Sequence, residues 1–89
     1  MVSKATTIIN PEGFHMRAAG IFVKEMTRFK SDVTVSAGEK SVNGKSILRL
    51  MSAGFKRGTE VTIRCEGEDE ASQLETACAL IDAGLGDKT

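Results

Sequence analysis

The chain holds one histidine, His15, in the segment Gly13-Phe14-His15-Met16-Arg17, directly before a helical pattern that starts at Met16. A helix entry exposes backbone N–H groups without intrahelical partners and the positive end of the helix dipole, which together suit an anion. Imidazole, with an unperturbed pKa of ~6.5, accepts and releases a phosphoryl group or a proton near neutrality. The dipole also disfavours the imidazolium and leaves a ring nitrogen nucleophilic. Arg17 adds a guanidinium fork that can grip phosphate oxygens. A lone loop histidine is more often a solvated residue or a cap. Three features reverse that here: the helix entry, the backbone freedom of Gly13, and the clamp offered by Arg17. The constellation reads as a phosphorylatable histidine.

Ser46 stands in the same relation to a second, shorter helical pattern. As a plain N-cap it contributes ~1 kcal/mol. A phosphate there would meet free N–H groups and add roughly two negative charges, but the residues alone favour the cap. Ile47, Leu48 and Met51 crowd a helix of under two turns, too short to bury every side. The plainer reading is core packing by Ile47 and Leu50, and the functional one is docking. Leu48 and Met51, next to Met16 and ringed by Lys24, Lys45 and Arg49, form a candidate docking patch. The partner-binding set is therefore Met16, Lys24, Lys45, Ile47, Leu48, Arg49 and Met51. Gly44-Lys45-Ser46 is not a nucleotide loop, because Glu39 occupies the position where the first glycine is needed.

The elements that must position these residues follow from periodicity. Residues 2–9 are β-prone and closed by the turn Asn10-Pro11-Glu12-Gly13. From Met16 to about Arg28, Ala19, Phe22, Val23, Met26 and Phe29 recur at helical spacing. Val33 and Val35 alternate in a strand, turned at Ala37-Gly38-Glu39 into a short strand Lys40–Asn43. A helix runs from Ile47 to about Ala53 and is closed by Gly54. Val61, Ile63 and Cys65 mark one face of a strand over Glu60–Glu66. Gly67-Glu68-Asp69 turns the chain into a last helix, about Glu70 to Ala83, with Leu74, Cys78 and Ile81 as its stripe. The order β-α-β-β-α-β-α predicts an α+β fold: a two-layer sandwich, an antiparallel-rich sheet with its helices on one face.

Composition bounds the function. The 89 residues make one domain over residues 1–89, with 40% apolar residues for a core. Twelve basic and twelve acidic residues leave no net charge, and there is no Trp or Tyr to stack bases; both argue against direct nucleic-acid binding. Charge is still uneven: Lys24, Arg28, Lys30, Lys45, Arg49, Lys56 and Arg57 lie mid-chain, while Glu66, Glu68, Asp69, Glu70 and Glu75 cluster late. Cys65 and Cys78 read as buried small hydrophobes rather than a metal or redox pair, and one histidine cannot complete a metal site. No basic-then-apolar leader and no membrane span is legible, so a cytoplasmic location is expected.

These segments resemble the HPr family, the histidine-containing phosphocarriers of the bacterial phosphoenolpyruvate-dependent sugar phosphotransferase system. Gly13-Phe14-His15-Met16-Arg17-Ala18-Ala19 matches its active-site signature, Lys45-Ser46-Ile47-Leu48-Arg49-Leu50-Met51 its regulatory one, and Glu66-Gly67-Glu68-Asp69-Glu70 its entry to the last helix. The resemblance implies an open-faced β-sandwich of four antiparallel strands and three helices. It implies that His15 takes phosphate on Nδ1 from phosphorylated enzyme I, assisted by Arg17, and passes it to sugar-specific IIA domains. The resemblance further implies phosphorylation of Ser46 by an HPr kinase/phosphorylase in bacteria that have one, and action there with a catabolite-control transcription factor. No cofactor and no metal are implied, and a monomer is expected. Three departures stand out: Ala18 where the family usually has Pro, Met16 beside the histidine, and Phe14 in place of an aliphatic residue. A specialised paralogue, or a regulatory module working through Ser46 and the apolar patch, is the alternative. The regulatory homologue without an active-site histidine is excluded by His15.

Overall fold

A computed structural model describes residues 1–86. Four strands and three helices follow in the order β1 (Val2–Thr7), α1 (Met16–Met26), β2 (Asp32–Ala37), β3 (Lys40–Asn43), α2 (Ile47–Ala53), β4 (Glu60–Glu66) and α3 (Glu70–Asp82). The sheet order is β1-β4-β2-β3 and all three pairings are antiparallel. The expected open-faced sandwich is what the chain forms. Two expected bounds shift inward. β1 stops at Thr7 rather than residue 9, and Ile8 instead exchanges backbone hydrogen bonds with Thr59 and Gly58. α1 ends at Met26 rather than Arg28, and residues 27–30 form turns.

Register decides which side chains meet. Val33 opposes Cys65 and Val35 opposes Ile63, so β2 and β4 send a shared apolar face toward the helices. On β1 the same face carries Val2, Lys4 and Thr6, opposite Cys65, Ile63 and Val61. That face is half polar, and the Thr6 hydroxyl donates to the Asp82 carboxylate of α3. β1 lies at the sheet edge, where polar residues cost least. The core proper is Phe22, Met26 and Ala19 from α1, Leu50 from α2, Ala77, Cys78 and Ile81 from α3, and Val33, Val35, Val61, Ile63 and Cys65 from the strands. Each of the larger side chains contributes about 1.5–3 kcal/mol through burial. Cys65 and Cys78 are buried and reduced; burial pushes the Cys65 thiol up to about 11 and raises Cys78 as well, so both remain neutral.

Several buried groups lie outside the expected stripes. Phe14 and Phe55 enter the core from loops, and Phe14 stacks edge-on against Phe22 at 5.3 Å and Phe55 at 6.4 Å between ring centroids. Leu85 is fully buried in a left-handed conformation, φ 53°, between Gly84 and Gly86. Gln73 is fully buried on α3; its amide donates to the carbonyl of Ser31 at 3.0 Å and reaches that of Met26 at 3.5 Å.

That last contact belongs to a clasp on the α1–β2 connection. The Asp69 carboxylate accepts the backbone N–H of Lys30 at 3.0 Å, that of Ser31 at 2.9 Å, and the Ser31 hydroxyl. The Ser31 hydroxyl, the Lys30 N–H and the Ser31 N–H together hold Asp69 at about 2, well below the usual carboxylate range. Asp69 occupies the N-cap position of α3 but makes no side-chain cap. It anchors the far end of α1 instead.

Candidate functional site

The loop before α1 is built to hold its backbone fixed. Buried Asn10 donates its side-chain amide to the Gly13 carbonyl at 2.6 Å, and Gly13 N–H returns to the Asn10 carbonyl at 3.2 Å. Gly13 has φ +59°, and a Cβ there would stand 2.1 Å from the Phe55 carbonyl oxygen. Only glycine allows this approach. Phe14 then drops into the core, and His15 leaves it as the N-cap of α1 with φ −76° and ψ 176°.

His15 is half-buried, and its Nδ1 accepts the backbone N–H of Arg17 at 3.3 Å. A nitrogen that accepts an N–H presents a lone pair to the helix mouth. The first turn of α1 contains no acidic side chain to compete for that position. Met16 and Arg17 are exposed on either side of the helix start, Met16 at 70%. Arg17 is thus solvent-accessible in the first turn of α1.

Ser46 caps α2 as expected: its hydroxyl accepts the Arg49 N–H at 3.2 Å. Gly54 ends the helix with φ 70°, and Lys40 reaches across from β3 to donate to the Ala53 carbonyl at 2.7 Å. Of the two residues for which core packing is the plainer reading, Leu50 is buried, whereas Ile47, at 41% exposure, stands with Leu48 (71%) and Met51 (38%) on the outer surface. A two-turn helix lying on one side can hide one stripe only, and Leu50 and Ala53 take it. α1 and α2 pack against each other, so these apolar side chains and the start of α1 belong to one helical layer. Lys24 and Arg49 are exposed on it. Lys45 is different: its ammonium donates to the Phe29 carbonyl at 2.9 Å and is drawn into the structure rather than standing free on the rim.

Asp69, Ser31, Phe14 and Lys40 were not marked as support for the site by sequence reasoning. The Gly at 13, with an aromatic immediately after it and another beyond Gly54, was the available signal for the loop contact.

Comparison with known proteins bears on the same residues. The family described as the PTS HPr component phosphorylation site matches residues 2–83. Phosphocarrier protein HPr of Haemophilus influenzae is 43% identical over 81 residues, covering 91% of this chain and 95% of that one. The HPr-like protein Crh of Bacillus subtilis is 42% identical with the same coverage. The crystal structure of HPr-C-His from Thermoanaerobacter tengcongensis superposes with a TM-score of 0.94 at 34% identity, over 100% of both chains. With nearly every residue inside the matched family and the fold shared from end to end, the chain belongs to the HPr family, the phosphocarriers of the bacterial phosphotransferase system.

Proposed function

We propose that His15 Nδ1 accepts a phosphoryl group from phosphorylated enzyme I and passes it to IIA domains of sugar permeases. The observation that carries this is the hydrogen bond from Arg17 N–H to His15 Nδ1 at the entry of α1. In the acceptance step the Nδ1 lone pair forms a bond to phosphorus while the donor's bond to phosphorus breaks and keeps its electron pair. The second ring nitrogen holds its own proton, so none has to leave. The phosphoryl oxygens then replace Nδ1 as acceptors of the helix N–H, at the positive end of the dipole. Arg17 adds charge-assisted bonds to the oxygens in flight. The chain works as a single-domain cytoplasmic monomer without cofactor or metal, a carrier rather than a catalyst.

Docking falls to Met16, Ile47, Leu48 and Met51, with Lys24 and Arg49 as a charged rim and Lys45 as a bridge to the α1–β2 turn. Ser46 is the proposed regulatory phosphorylation site, modified by an HPr kinase/phosphorylase where one exists and read with a catabolite-control transcription factor. Incubation with phosphoenolpyruvate and enzyme I tests the central claim. Wild type should acquire one acid-labile, base-stable phosphate, and His15→Ala none, while losing only the cap's share of stability, about 1 kcal/mol. Label on the alanine variant near wild-type stoichiometry would remove His15 from the role.

A further inference from the structure

The turn after α2 touches the His15 loop through its backbone. A Cβ on Gly13 would lie 3.2 Å from the Lys56 Cα, as well as against the Phe55 carbonyl. The turn is fixed on its other sides too. Phe55 is buried, Thr59 N–H closes onto the Lys56 carbonyl at 3.0 Å, and Gly58 N–H donates to the Ile8 carbonyl at 2.7 Å. With its backbone pinned, the turn leaves two side chains exposed: Lys56 and Arg57.

Neither cation takes part in an ion pair among the described residues; the pairs there join the Met1 amine to Glu70 and Arg28 to Glu25. Glu12, exposed on the His15 loop, forms no ion pair with them among the described residues. Charge along the chain is strongly divided despite the zero total. Residues 11–57 hold nine Lys and Arg against four Asp and Glu, while residues 58–86 hold one against seven. Two adjacent cations are ordinarily a solvated turn. Here they stand on a hydrogen-bonded turn packed against the loop that carries the proposed phosphoryl acceptor, so binding through them orders little main chain.

We propose that Lys56 and Arg57 form a second charged anchor of the docking face, taking an acidic rim on the protein that exchanges phosphate with His15. The inference rests on the phosphocarrier reading above. The anchor lies on the Gly13 side of His15, whereas Ile47, Leu48 and Met51 lie on α2. A partner that covers His15 and reaches this turn would then meet both the apolar residues of α2 and a cationic corner, which fixes its orientation and speeds its approach.

The test compares wild type, K56Q/R57Q and the charge-keeping K56R/R57K for phosphoryl acceptance from enzyme I. Association rate, kcat and the lifetime of the phosphohistidine are each measured at low salt and near ~1 M, where screening acts within ~3 Å. K56Q/R57Q should associate about 3–10-fold more slowly at low salt and within about twofold of wild type at high salt. K56R/R57K should track wild type, and kcat and lifetime should not move. Equal rates at low salt, or a loss that salt leaves intact, would overturn the anchor. A loss confined to kcat or lifetime would instead assign the cations to the phosphoryl group and reject the rim. If wild type itself takes no phosphate, the phosphocarrier reading fails and this proposal falls with it.

Discussion

Gly13 and Gly38 form a matched pair for testing how the His15 loop is held. Both have φ +59°, so alanine at either incurs the left-handed penalty of ~1–2 kcal/mol. At Gly38, in the β2–β3 hairpin, a new Cβ meets nothing within 4 Å. At Gly13 it would stand 2.1 Å from the Phe55 carbonyl oxygen. A carbon–oxygen contact normally needs ~3.3 Å, so the loops must part by about 1 Å. Neither can yield cheaply, because Asn10 holds one and the Ile8, Lys56 and Thr59 hydrogen bonds hold the other. Such overpacking costs about 1–3 kcal/mol more.

Gly38→Ala should therefore lose about 1–2 kcal/mol and Gly13→Ala about 2–5 kcal/mol. For a chain this size each kcal/mol lowers Tm by roughly 4–8 °C. Urea melts of the two variants measure the gap directly. Phosphoryl acceptance should separate them further: a displacement near 1 Å at the reacting atom can cost up to about 100-fold, while Gly38→Ala should transfer at the wild-type rate. Equal losses of stability would mean that the loop contact is not what fixes Gly13. A destabilised Gly13→Ala that still transfers normally would show that this loop does not position His15.

Arg17→Ala should slow transfer about 10–100-fold at saturating enzyme I with an unchanged urea midpoint, and Arg17→Lys should recover only part, having charge without the planar fork; equal rates in rapid quench would count against the guanidinium. Leu48→Ala and Ser46→Asp should both weaken enzyme I binding, the first by about 1–2 kcal/mol at any salt and the second by an amount that shrinks as salt rises. Identical salt profiles in calorimetry would contradict the separate origins. Asp69, held at about 2 against an ordinary 3.8, supports folding fully above its unfolded pKa and loses that contribution as pH falls from about 4 through about 2. The gap in urea midpoint between wild type and Asp69→Asn should close over that window, and a gap independent of pH would refute the clasp.

The chemistry of the site was more legible than its support. His15, Arg17 and Ser46 announce themselves because a helix entry is written locally, in a cap residue and the onset of a 3.6 period. The strands β2, β3 and β4 and all three helices follow from the same local periodicities. What periodicity could not show is a side chain that enters the core from a loop. Phe14, Phe55 and Leu85 have no repeating neighbours, and their burial depends on segments far away in the chain. Ile47 shows the limit from the other side: helical spacing allowed it either a core place or an outer one, and Leu50 and Ala53 fill the core stripe. Asp69 reads as part of the turn into α3, yet its carboxylate holds the α1–β2 connection, 38 residues back.

These long-range contacts bear on how so small a protein could present the proposed acceptor at the entry of a helix. A phosphoryl acceptor must face a large partner, which forbids burying it, yet transfer requires its position to be held within a fraction of an ångström. The chain meets both demands by fixing α1 at its two ends and leaving its entry open. At the entry, Gly13 and Phe14 lock the backbone behind His15. At the far end, Asp69, Gln73 and Lys45 hold the turn that follows the helix. Lys45 precedes Ser46, so one clasp on α1 is attached to the residue proposed for regulation. If Ser46 is phosphorylated as proposed, the new charge would enter the chain one residue from that clasp and beside the proposed docking face.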